Sequence, residues 1–298
     1  MDLVPFQVCT YDCVYCQLGG TTLKTVDRKE YVSASKLLCE LEARLKTNIH
    51  ADYVTLAGSG EPTLNGSLKE IVREIKNMTG IPLAVITNGS LLFMDEVKEA
   101  LSGTDLLIPS LDAGSGASFR RVNRPHGKIR FDSVVEGLMS LKDWYKGRVW
   151  LESLVVGGST DSDSEIEKIA ALVDDISPEK VQLNTVVRPP AKPEALEVPR
   201  PRMEQFASFF RTPVEIIGYK EGSGREDSRP VPESADSEIL ELVRRRPVTV
   251  RDIALGLGIP ANEALKRTGH MFKEGRITAT EQNGQIFYIP AEGSKNEP

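Results

Sequence analysis

Short apolar runs alternate with amphipathic segments over the first two-thirds of the chain, and this pattern constrains the fold more than any other feature. The short runs predict strands at residues 3–8, 52–56, 83–87, 106–110, 149–156 and 181–186. Apolar residues spaced i, i+3 and i+4 predict helices at residues 34–46, 67–76, 94–101, 131–145 and 164–173. Such alternation predicts an α/β fold with parallel strands, arranged as an open doubly wound sheet or as a partial barrel.

The rest of the chain has a different pattern. Residues 188–202 contain five prolines and predict an extended loop, and residues 214–219 predict a further strand. A segment rich in Gly, Ser, Pro and charge then predicts an interdomain linker at residues 221–236. Residues 237–290 predict three helices and a β-hairpin that turns at Asn283-Gly284, which is the element order of a winged helix-turn-helix domain.

Charge and hydropathy exclude several classes of protein. Of the 298 residues, 37 are Lys or Arg and 43 are Asp or Glu, which gives a formal net charge of -6. This balance excludes a protein that coats nucleic acid or an anionic membrane with its whole surface. The longest apolar runs are much shorter than the roughly 20 residues that a membrane span requires. We therefore expect a cytoplasmic protein with no membrane partner.

Three of the four cysteines, Cys9, Cys13 and Cys16, lie close together directly after the first predicted strand. Such spacing indicates metal binding or redox chemistry more than a disulfide framework. Three thiolates on one loop can hold three irons of a four-iron cluster and leave the fourth iron without a protein ligand. Zinc is the alternative, but structural zinc takes four protein ligands. The fourth cysteine, Cys39, stands apart in a predicted helix, and we expect it to lie in the core.

The spacing Cys9-x-x-x-Cys13, followed by Tyr15 and Cys16, resembles the motif of the radical S-adenosylmethionine (SAM) superfamily. The resemblance covers about residues 1–220 and implies a partial (β/α)6 barrel there. It also implies that the three cysteines bind a [4Fe-4S] cluster, that the open iron binds SAM, and that Tyr15 lies near the adenine. In this family a reductant such as flavodoxin or ferredoxin drives SAM cleavage, and the resulting radical abstracts a substrate hydrogen.

A second element, Gly58-Ser59-Gly60-Glu61-Pro62, follows the second predicted strand and resembles the Gly-Gly-Glu-Pro element that meets the methionine amine in the same family. Glycine allows a backbone carbonyl to approach a ligand ammonium. Glu61 either offsets the charge of that ammonium or holds the loop in place. The resemblance therefore implies SAM contacts at Gly58, Ser59, Gly60 and Glu61, with Ser59 in place of a glycine that many relatives have.

Later strand ends add weaker candidates. Asn88 and Ser110 follow the third and fourth predicted strands, where they either contact SAM or serve as turn and cap residues. Arg124 lies in a basic segment and either binds the SAM carboxylate or an anionic substrate, or belongs to a solvated loop. The same alternatives apply to Arg188. Three polar residues within strands predict either a barrel interior or satisfied core groups: Glu152, Gln182 and Asn184.

Residues 2–6 and 17–19, together with the Gly58–Pro62 element and residues 182–186, resemble one group within the superfamily. This group is termed wyosine-synthase-like or molybdenum-cofactor-synthase-like iron-sulfur oxidoreductases. The synthases themselves carry a second cluster on additional cysteines. Because this chain has only Cys39 to spare, we exclude a second cluster ligated by cysteine.

Two functions follow as alternatives. The first is a radical SAM enzyme with an unknown substrate, for which a tRNA base is one candidate. The second is a regulator whose winged helix binds DNA while its cluster responds to redox state or to SAM. Residues 237–290 carry eight Lys or Arg against six acidic residues, a small excess for a DNA reader. We therefore favour RNA or protein as the partner of this domain.

Overall fold

The computed structural model of the protein describes residues 1–47, 51–219 and 235–291. The strands are β1 (Val8–Cys9), β2 (Leu23–Lys24), β3 (Val54–Leu56), β4 (Leu83–Thr87), β5 (Leu106–Pro109), β6 (Arg148–Val155), β7 (Lys180–Thr185), β8 (Val214–Ile216), β9 (Ile277–Gln282) and β10 (Gln285–Pro290). The helices are α1 (Ala34–Leu45), α2 (Leu68–Met78), α3 (Asp95–Leu101), α4 (Gly116–Val122), α5 (Phe131–Met139), α6 (Leu141–Trp144), α7 (Asp163–Ile176), α8 (Arg200–Ala207), α9 (Ala235–Arg245), α10 (Val250–Leu257) and α11 (Ala261–Lys273). A short 3-10 helix spans Pro62–Leu64.

The large sheet contains six parallel strands, and their spatial order, β3-β4-β5-β6-β7-β8, is also their order in the sequence. A doubly wound sheet reverses its strand order at one point, and this sheet has no reversal. Because crossover connections are right-handed, an order without reversal places the connecting helices on one face of the sheet. The opposite face, which we call the inner face, is left for a binding site, as in a partial barrel.

Burial alternates along β6 and β7 and identifies the inner face. Leu151 and Ser153 are fully buried on the side of the helices, whereas Glu152 between them is only half-buried. The same period of two runs along β7, where Gln182 and Asn184 are half-buried. The polar strand residues singled out in the sequence therefore lie on the inner face.

Helix α2 shows how the helices cover the other face. Its buried residues are Leu68, Ile71, Val72 and Ile75, which lie three and four positions apart on one side of the helix. All four belong to the main hydrophobic core, together with strand residues such as Leu83. Burial of each such side chain stabilises the fold by about 1.5–3 kcal/mol.

The prediction of a strand at residues 3–8 is wrong for most of that segment. The strand at its end, β1, pairs with β2 and not within the large sheet. Pro5 has no N–H to donate to a sheet, and Gln7 has a left-handed backbone with a φ of 61°. The sixth strand of the sheet is instead β8, which the sequence predicted as an additional strand.

The helices differ from the prediction in three places. Residues 131–145 form two helices, α5 and α6, which meet at Ser140. Helix α4 was not predicted. Helix α8 was not predicted either; its first three residues overlap the end of the predicted loop at residues 188–202, and residues 188–199 contain no helix, as expected. Pro199 is its N-cap and Pro201 lies in its first turn, where the missing N–H of proline costs no helical hydrogen bond.

Cys39 is exposed on α1, so the expectation that it lies in the core is wrong. The buried residues on this helix include Leu37 and Leu41, two positions before and after it. Because each helical residue advances by about 100°, positions two apart point to nearly opposite sides. The apolar neighbours of Cys39 in the sequence therefore do not share its face.

Helices α9 to α11 and the antiparallel hairpin β9-β10, which we call the C-terminal unit, have their own hydrophobic core. Thr249 and Asp252 form a capping box at the start of α10. Asn283 and Gly284 both have positive φ angles, as the predicted two-residue hairpin turn requires. None of the helices in the described part of the chain is long and apolar enough to cross a membrane.

The predicted linker at residues 221–236 lies almost entirely outside the described residues. Its last two residues, Ala235 and Asp236, are described and lie in α9. The helix therefore begins two residues earlier than the predicted start of the C-terminal domain at residue 237.

Candidate functional site

Cys9 ends β1, and Cys13 and Cys16 lie on the following loop to β2, which we call the cysteine loop. The Asp12 N–H donates a hydrogen bond to the carbonyl oxygen of Asn123 at 3.1 Å, which holds this loop against the end of α4. The Cys16 N–H donates to the carbonyl oxygen of Cys13 at 3.2 Å. All three cysteines are half-buried, and Cys9 and Cys13 pack against the main hydrophobic core.

Two asparagine side chains donate towards the cysteine sulfurs. Asn88 Nδ2 lies 3.5 Å from Cys9 Sγ, and Asn123 Nδ2 lies 3.6 Å from Cys13 Sγ. Burial raises the pKa of all three thiols, that of Cys9 to about 12, and the negative charge of Glu61 adds to the effect at Cys9. Thiolate is the metal-binding form, so these sulfurs require nearby positive charge, which bound iron supplies.

The three thiols are not arranged around one point. Across residues 1–47, 51–219 and 235–291, no three His, Cys, Asp or Glu side chains are placed to hold a single metal ion. A mononuclear zinc site needs such convergence, whereas in a four-iron cluster each thiolate binds its own iron. Three soft sulfur ligands on one loop, with amide donors directed at two of them, fit an iron-sulfur cluster.

The glycines of the Gly58–Pro62 element allow close packing against the first residues of the chain. A Cβ on Gly60 would lie 1.8 Å from the carbonyl oxygen of Val8, and a Cβ on Gly58 would lie 2.5 Å from Asp2 Oδ1. Gly58 also has a φ of +138°, which side chains rarely tolerate. Ser59 between them is buried. The chain itself therefore requires both glycines, and SAM contacts at Gly58, Ser59 and Gly60 stay a prediction.

Glu61 is a buried carboxylate that four protein donors satisfy. Only 1% of the residue is exposed. Its Oε1 accepts from the Thr63 N–H at 3.0 Å, from the Thr63 hydroxyl at 2.6 Å and from the Thr87 hydroxyl at 2.6 Å. Its Oε2 accepts from the Asn88 N–H at 2.7 Å. Burial raises the pKa of Glu61, and these hydrogen bonds oppose the rise. These hydrogen bonds hold the loop in place, and a contact of Glu61 with SAM stays a prediction.

Asn88 connects the end of β4 to the cysteine loop. Besides its contact with Cys9, its Nδ2 donates to Thr10 Oγ1 at 2.8 Å. Its Oδ1 accepts from the Ser90 N–H at 2.9 Å, and the hydroxyls of Thr10 and Ser90 lie 2.8 Å apart. Through Asn88 the structure brings together Cys9 and Glu61, which lie 52 positions apart in the sequence.

Asp112 fixes Tyr15 from the other side of the cysteine loop. Asp112 Oδ2 accepts from the Tyr15 hydroxyl at 2.5 Å and from Asn123 Nδ2 at 2.7 Å, and its Oδ1 accepts from the Leu154 N–H at 3.0 Å. Burial raises the pKa of Asp112, and the three hydrogen bonds oppose the rise. The placement of Tyr15 near the adenine of SAM stays a prediction.

Sequence reasoning missed Asn123 and Thr10. Asn123 immediately precedes Arg124 in the basic segment, where the sequence signal is the charge and not the amide. The Asn123 Oδ1 atom and the Tyr11 hydroxyl are buried without a hydrogen-bond partner in the described part of the chain. The site therefore has unused polar groups close to the cysteine loop.

The remaining candidates lie further from the cysteines or have other partners. Ser110 is half-buried beyond β5 and forms a single bridge with Glu152. The Arg124 guanidinium lies 3.9 Å from Glu194 at the surface. Arg188 binds Asp252 of the C-terminal unit in a bidentate pair at 3.0 and 3.2 Å, so its guanidinium is already occupied by a protein carboxylate. The alternative of a ligand contact at Arg188 is therefore not supported.

The family described as the radical SAM superfamily matches residues 3–173, a range that contains the cysteine loop and the strands β3 to β6. The chain belongs to the radical SAM superfamily. Proteins of this superfamily use a [4Fe-4S] cluster and SAM, and they are generally enzymes that need an electron donor. The residues of the cysteine loop fit the [4Fe-4S] cluster, as shown above.

Two relatives match this radical SAM protein over 97% of its length. One, from Brachyspira hyodysenteriae, is named GTPase Obg and is 33% identical over 291 residues, and the chain spans only 42% of its length. The other is a UPF0026 protein of Methanocaldococcus jannaschii that is 30% identical over 296 residues, of which the chain spans 90%. These matches extend well beyond residue 173, so the relatives share the later segments as well.

The fold is also similar to a solved radical SAM structure. A radical SAM methyltransferase from Sphaerobacter thermophilus superposes with a TM-score of 0.57 at 18% sequence identity, covering 70% of this chain and 63% of that one. At such low identity the likeness concerns the fold alone. The reaction of this radical SAM protein must therefore be argued from its own residues.

Proposed function

We propose that the protein is a radical SAM enzyme that holds one [4Fe-4S] cluster on Cys9, Cys13 and Cys16 and removes a hydrogen atom from its substrate. The observation that carries the proposal is the cysteine loop, with three half-buried thiols of which two receive amide donors. When bound, the cluster supplies the electron for reductive cleavage of SAM. Hydrogen bonds to the sulfurs from Asn88 and Asn123 tune such a cluster.

The chain's own residues keep the two cofactor sites in a fixed relation. Asn88 touches the Cys9 sulfur with its side chain and Glu61 with its N–H. In this proposal Glu61 stays buried and positions the backbone of Gly58, Ser59 and Gly60 so that this backbone faces SAM. The remaining proposed SAM contacts are Tyr15, Asn88, Ser110 and Arg124.

We further propose that residues 1–220 are the catalytic barrel and that the C-terminal unit, residues 237–290, is a winged helix domain. The winged helix assignment is supported by the order of three helices followed by an antiparallel hairpin, which pack around a separate hydrophobic core. Such a domain brings RNA or protein to the barrel, and a tRNA base is one candidate substrate. Neither the family match nor the relatives support the alternative of a DNA-binding regulator.

Within the superfamily, we propose that the chain belongs to the wyosine-synthase-like or molybdenum-cofactor-synthase-like group, and the shared sequence elements support this proposal. We propose no second cluster, because the fourth cysteine, Cys39, is exposed on α1 and outside the cysteine loop. The proposed enzyme therefore needs only one cluster and one reductant, such as flavodoxin or ferredoxin.

Iron analysis of anaerobically prepared protein tests this assignment. We expect about four irons per chain, the content of a single cluster. Cys13→Ser should lose most of this iron, whereas the matched variant Cys39→Ser should keep it. Tightly bound zinc in place of iron, or equal iron loss in both variants, would contradict the proposal.

A further inference from the structure

A row of five polar side chains crosses the inner face of the sheet at one level, and we call it the polar row. Ser110 bridges Glu152, Glu152 pairs with Gln182, and Gln182 pairs with Glu215. Asn88 follows the last paired residue of β4 and lies beside Ser110. The row therefore begins next to the Cys9 sulfur and leads away from it across the sheet.

The two carboxylates of the polar row have different partners. Glu215 forms an ion pair with Lys180 at 2.5 Å. Glu152 accepts one hydrogen bond, from Asn184 Nδ2 to its Oε1 at 3.0 Å. No Lys, Arg or His of the described residues comes within ion-pairing distance of Glu152, whereas the negative charge of Asp112 acts on it. Burial, together with that charge, raises the pKa of Glu152.

A carboxylate that is half-buried and has no cation beside it is costly for the folded protein. The loss of water around the charge is offset only when a counter-ion or several hydrogen bonds replace it. Glu152 accepts a hydrogen bond from one amide donor, whereas Glu61, which lies deeper in the protein, accepts from four donors. Glu152 therefore has an unused capacity to bind a donor on the inner face.

The next level of the inner face is apolar at β4 and β5, where Ile86 and Ile108 are paired. Further along this level, Trp150 on β6 is paired with Lys180 on β7, whose ammonium lies 3.8 Å from the centre of the Trp150 ring. Ile86 is 37% exposed although its neighbours on the strand are buried, so its side chain contributes an open apolar surface. An apolar surface beside a carboxylate suits a ligand that has a hydrocarbon part and a cationic end.

We propose that Glu152 binds a cationic nitrogen group of the substrate, an amine or a guanidinium-type group, and so holds the substrate on the inner face beside the SAM site. The inference rests on the proposed function and adds the substrate class to it. A carboxylate and a nitrogen cation form charge-assisted hydrogen bonds that are about twice as strong as neutral ones. Asn184 orients the carboxylate for this contact and acts as a positioning residue.

Binding of simple probes to the full chain, loaded with cluster and SAM, tests the proposal. The probes are methylguanidine and agmatine, with propionate as the anionic control, and binding is followed by saturation-transfer NMR and titration. Both cations should bind to the wild type, and Glu152→Gln should weaken them by about tenfold or more, the effect expected for loss of a charge-assisted contact. The matched variant Glu215→Gln should bind them like the wild type, because that carboxylate is already paired with Lys180.

Stability gives a second readout that needs no ligand. Glu152→Gln keeps an oxygen for Asn184 and removes the uncompensated charge, so it should melt at a higher temperature than the wild type. Glu215→Gln breaks an ion pair and should not be stabilised. A Glu152→Gln variant that melts below the wild type would overturn the proposal, as would cations that bind neither protein or bind both equally.

A loss of SAM affinity in Glu152→Gln would also overturn the proposal, because Glu152 would then belong to the SAM site. Failure of the proposed function has a different signature. In that case neither the wild type nor any variant would hold four irons or release 5′-deoxyadenosine. This result would not depend on whether the probes bind.

Discussion

The Glu61 carboxylate holds two parts of the site together. It accepts hydrogen bonds from Thr63 on its own loop and from Thr87 and Asn88 at the end of β4. Asn88 in turn reaches Cys9. This buried carboxylate therefore helps to fix the position of the cysteine loop relative to the Gly58–Pro62 element.

Glu61→Gln should destabilise the protein by about 1–3 kcal/mol, because the carboxamide has one acceptor oxygen where four donors converge. We also expect weaker SAM binding, since Asn88 loses the acceptor of its N–H. Chemical denaturation and calorimetric titration with SAM measure the two effects. Glu70→Gln on the exposed side of α2 is the control and should stay within about 0.5 kcal/mol of the wild type. A variant that loses SAM affinity at unchanged stability would show that Glu61 contacts the ligand directly.

At the level of residues, the sequence identified the chemical types in the site but not their burial. Three clustered cysteines can be found from spacing alone, because their ligand chemistry follows from residue type. Whether Glu61 faces a ligand or its own loop depends on Thr63 and Thr87, and the contact with Thr87 exists only in the folded chain. Asn123 could not be predicted for the same reason, since its partners Cys13 and Asp112 are distant in the sequence.

At the level of secondary structure, the N-terminal segment and the Gly58–Pro62 element form one packing unit. Val8 forms a bridge with Gly60, and the Glu61 N–H donates to the carbonyl oxygen of Val8 at 3.1 Å. This contact places Cys9, the residue after Val8, beside the end of β3. The close approach of two backbones is the reason that position 60 has no side chain.

Gly60→Ala should therefore disturb the site more than an ordinary glycine substitution. The added Cβ would lie 1.8 Å from the carbonyl oxygen of Val8, so the N-terminal segment must move away from β3. We expect a loss of stability of about 1–3 kcal/mol, as for other overpacked sites, together with reduced iron content. Gly80→Ala is the matched control, because a Cβ there meets nothing within 4 Å. Equal behaviour of the two variants, measured by denaturation and iron analysis, would contradict this packing.

Most strands and helices could be predicted from periodicity, and the failures have local causes. The strands β4, β6 and β7 were predicted within one residue of their observed ends, although β6 and β7 carry polar residues among the apolar ones. Residues 3–8 are equally apolar, but Pro5 and the left-handed Gln7 prevent regular pairing. Helix α8 was missed because prolines at the helix start are compatible with a helix, whereas the loop predicted before it, at residues 188–199, contains no helix.

At the level of the whole molecule, Arg188 joins the end of β7 to the C-terminal unit. Besides the bidentate pair with Asp252, its Nη1 donates to the carbonyl oxygen of Pro247 at 2.7 Å. Its guanidinium also lies 6.0 Å from the ring centre of Phe287 in the hairpin. Burial would raise the pKa of Asp252, but hydrogen bonds from Arg188 and Thr249 hold it below its usual value.

Arg188→Ala should lower the melting temperature of the C-terminal unit at neutral pH. Because the pKa of Asp252 is lower in the folded state, its carboxylate stabilises the fold at pH values above the unfolded-state pKa of about 4. This stabilisation is lost as the pH falls through the folded-state pKa. The difference between wild type and variant should therefore be largest at pH 7 and should shrink towards pH 3 in calorimetric scans. Arg130→Ala, at an exposed pair with Asp132, is the control and should show almost no difference. A difference of equal size at both pH values would contradict the ion pair as its origin.

Separate hydrophobic cores suggest a further test on the whole molecule. The main core and the core of the C-terminal unit share no residue, and all proposed cluster and SAM residues lie before residue 125. A chain that ends at residue 219 should keep its iron and its SAM binding, while turnover of the physiological substrate falls. Loss of iron on truncation would show instead that the C-terminal unit supports the barrel.

The most direct test of the central claim is the release of 5′-deoxyadenosine from SAM by the reduced protein. The protein is reconstituted with iron and sulfide without oxygen, reduced with dithionite, mixed with SAM, and analysed by chromatography. We predict slow release of 5′-deoxyadenosine by the wild type and none above background by Cys13→Ala. A wild-type protein that holds four irons and leaves SAM intact would contradict the account, and so would equal release by both proteins.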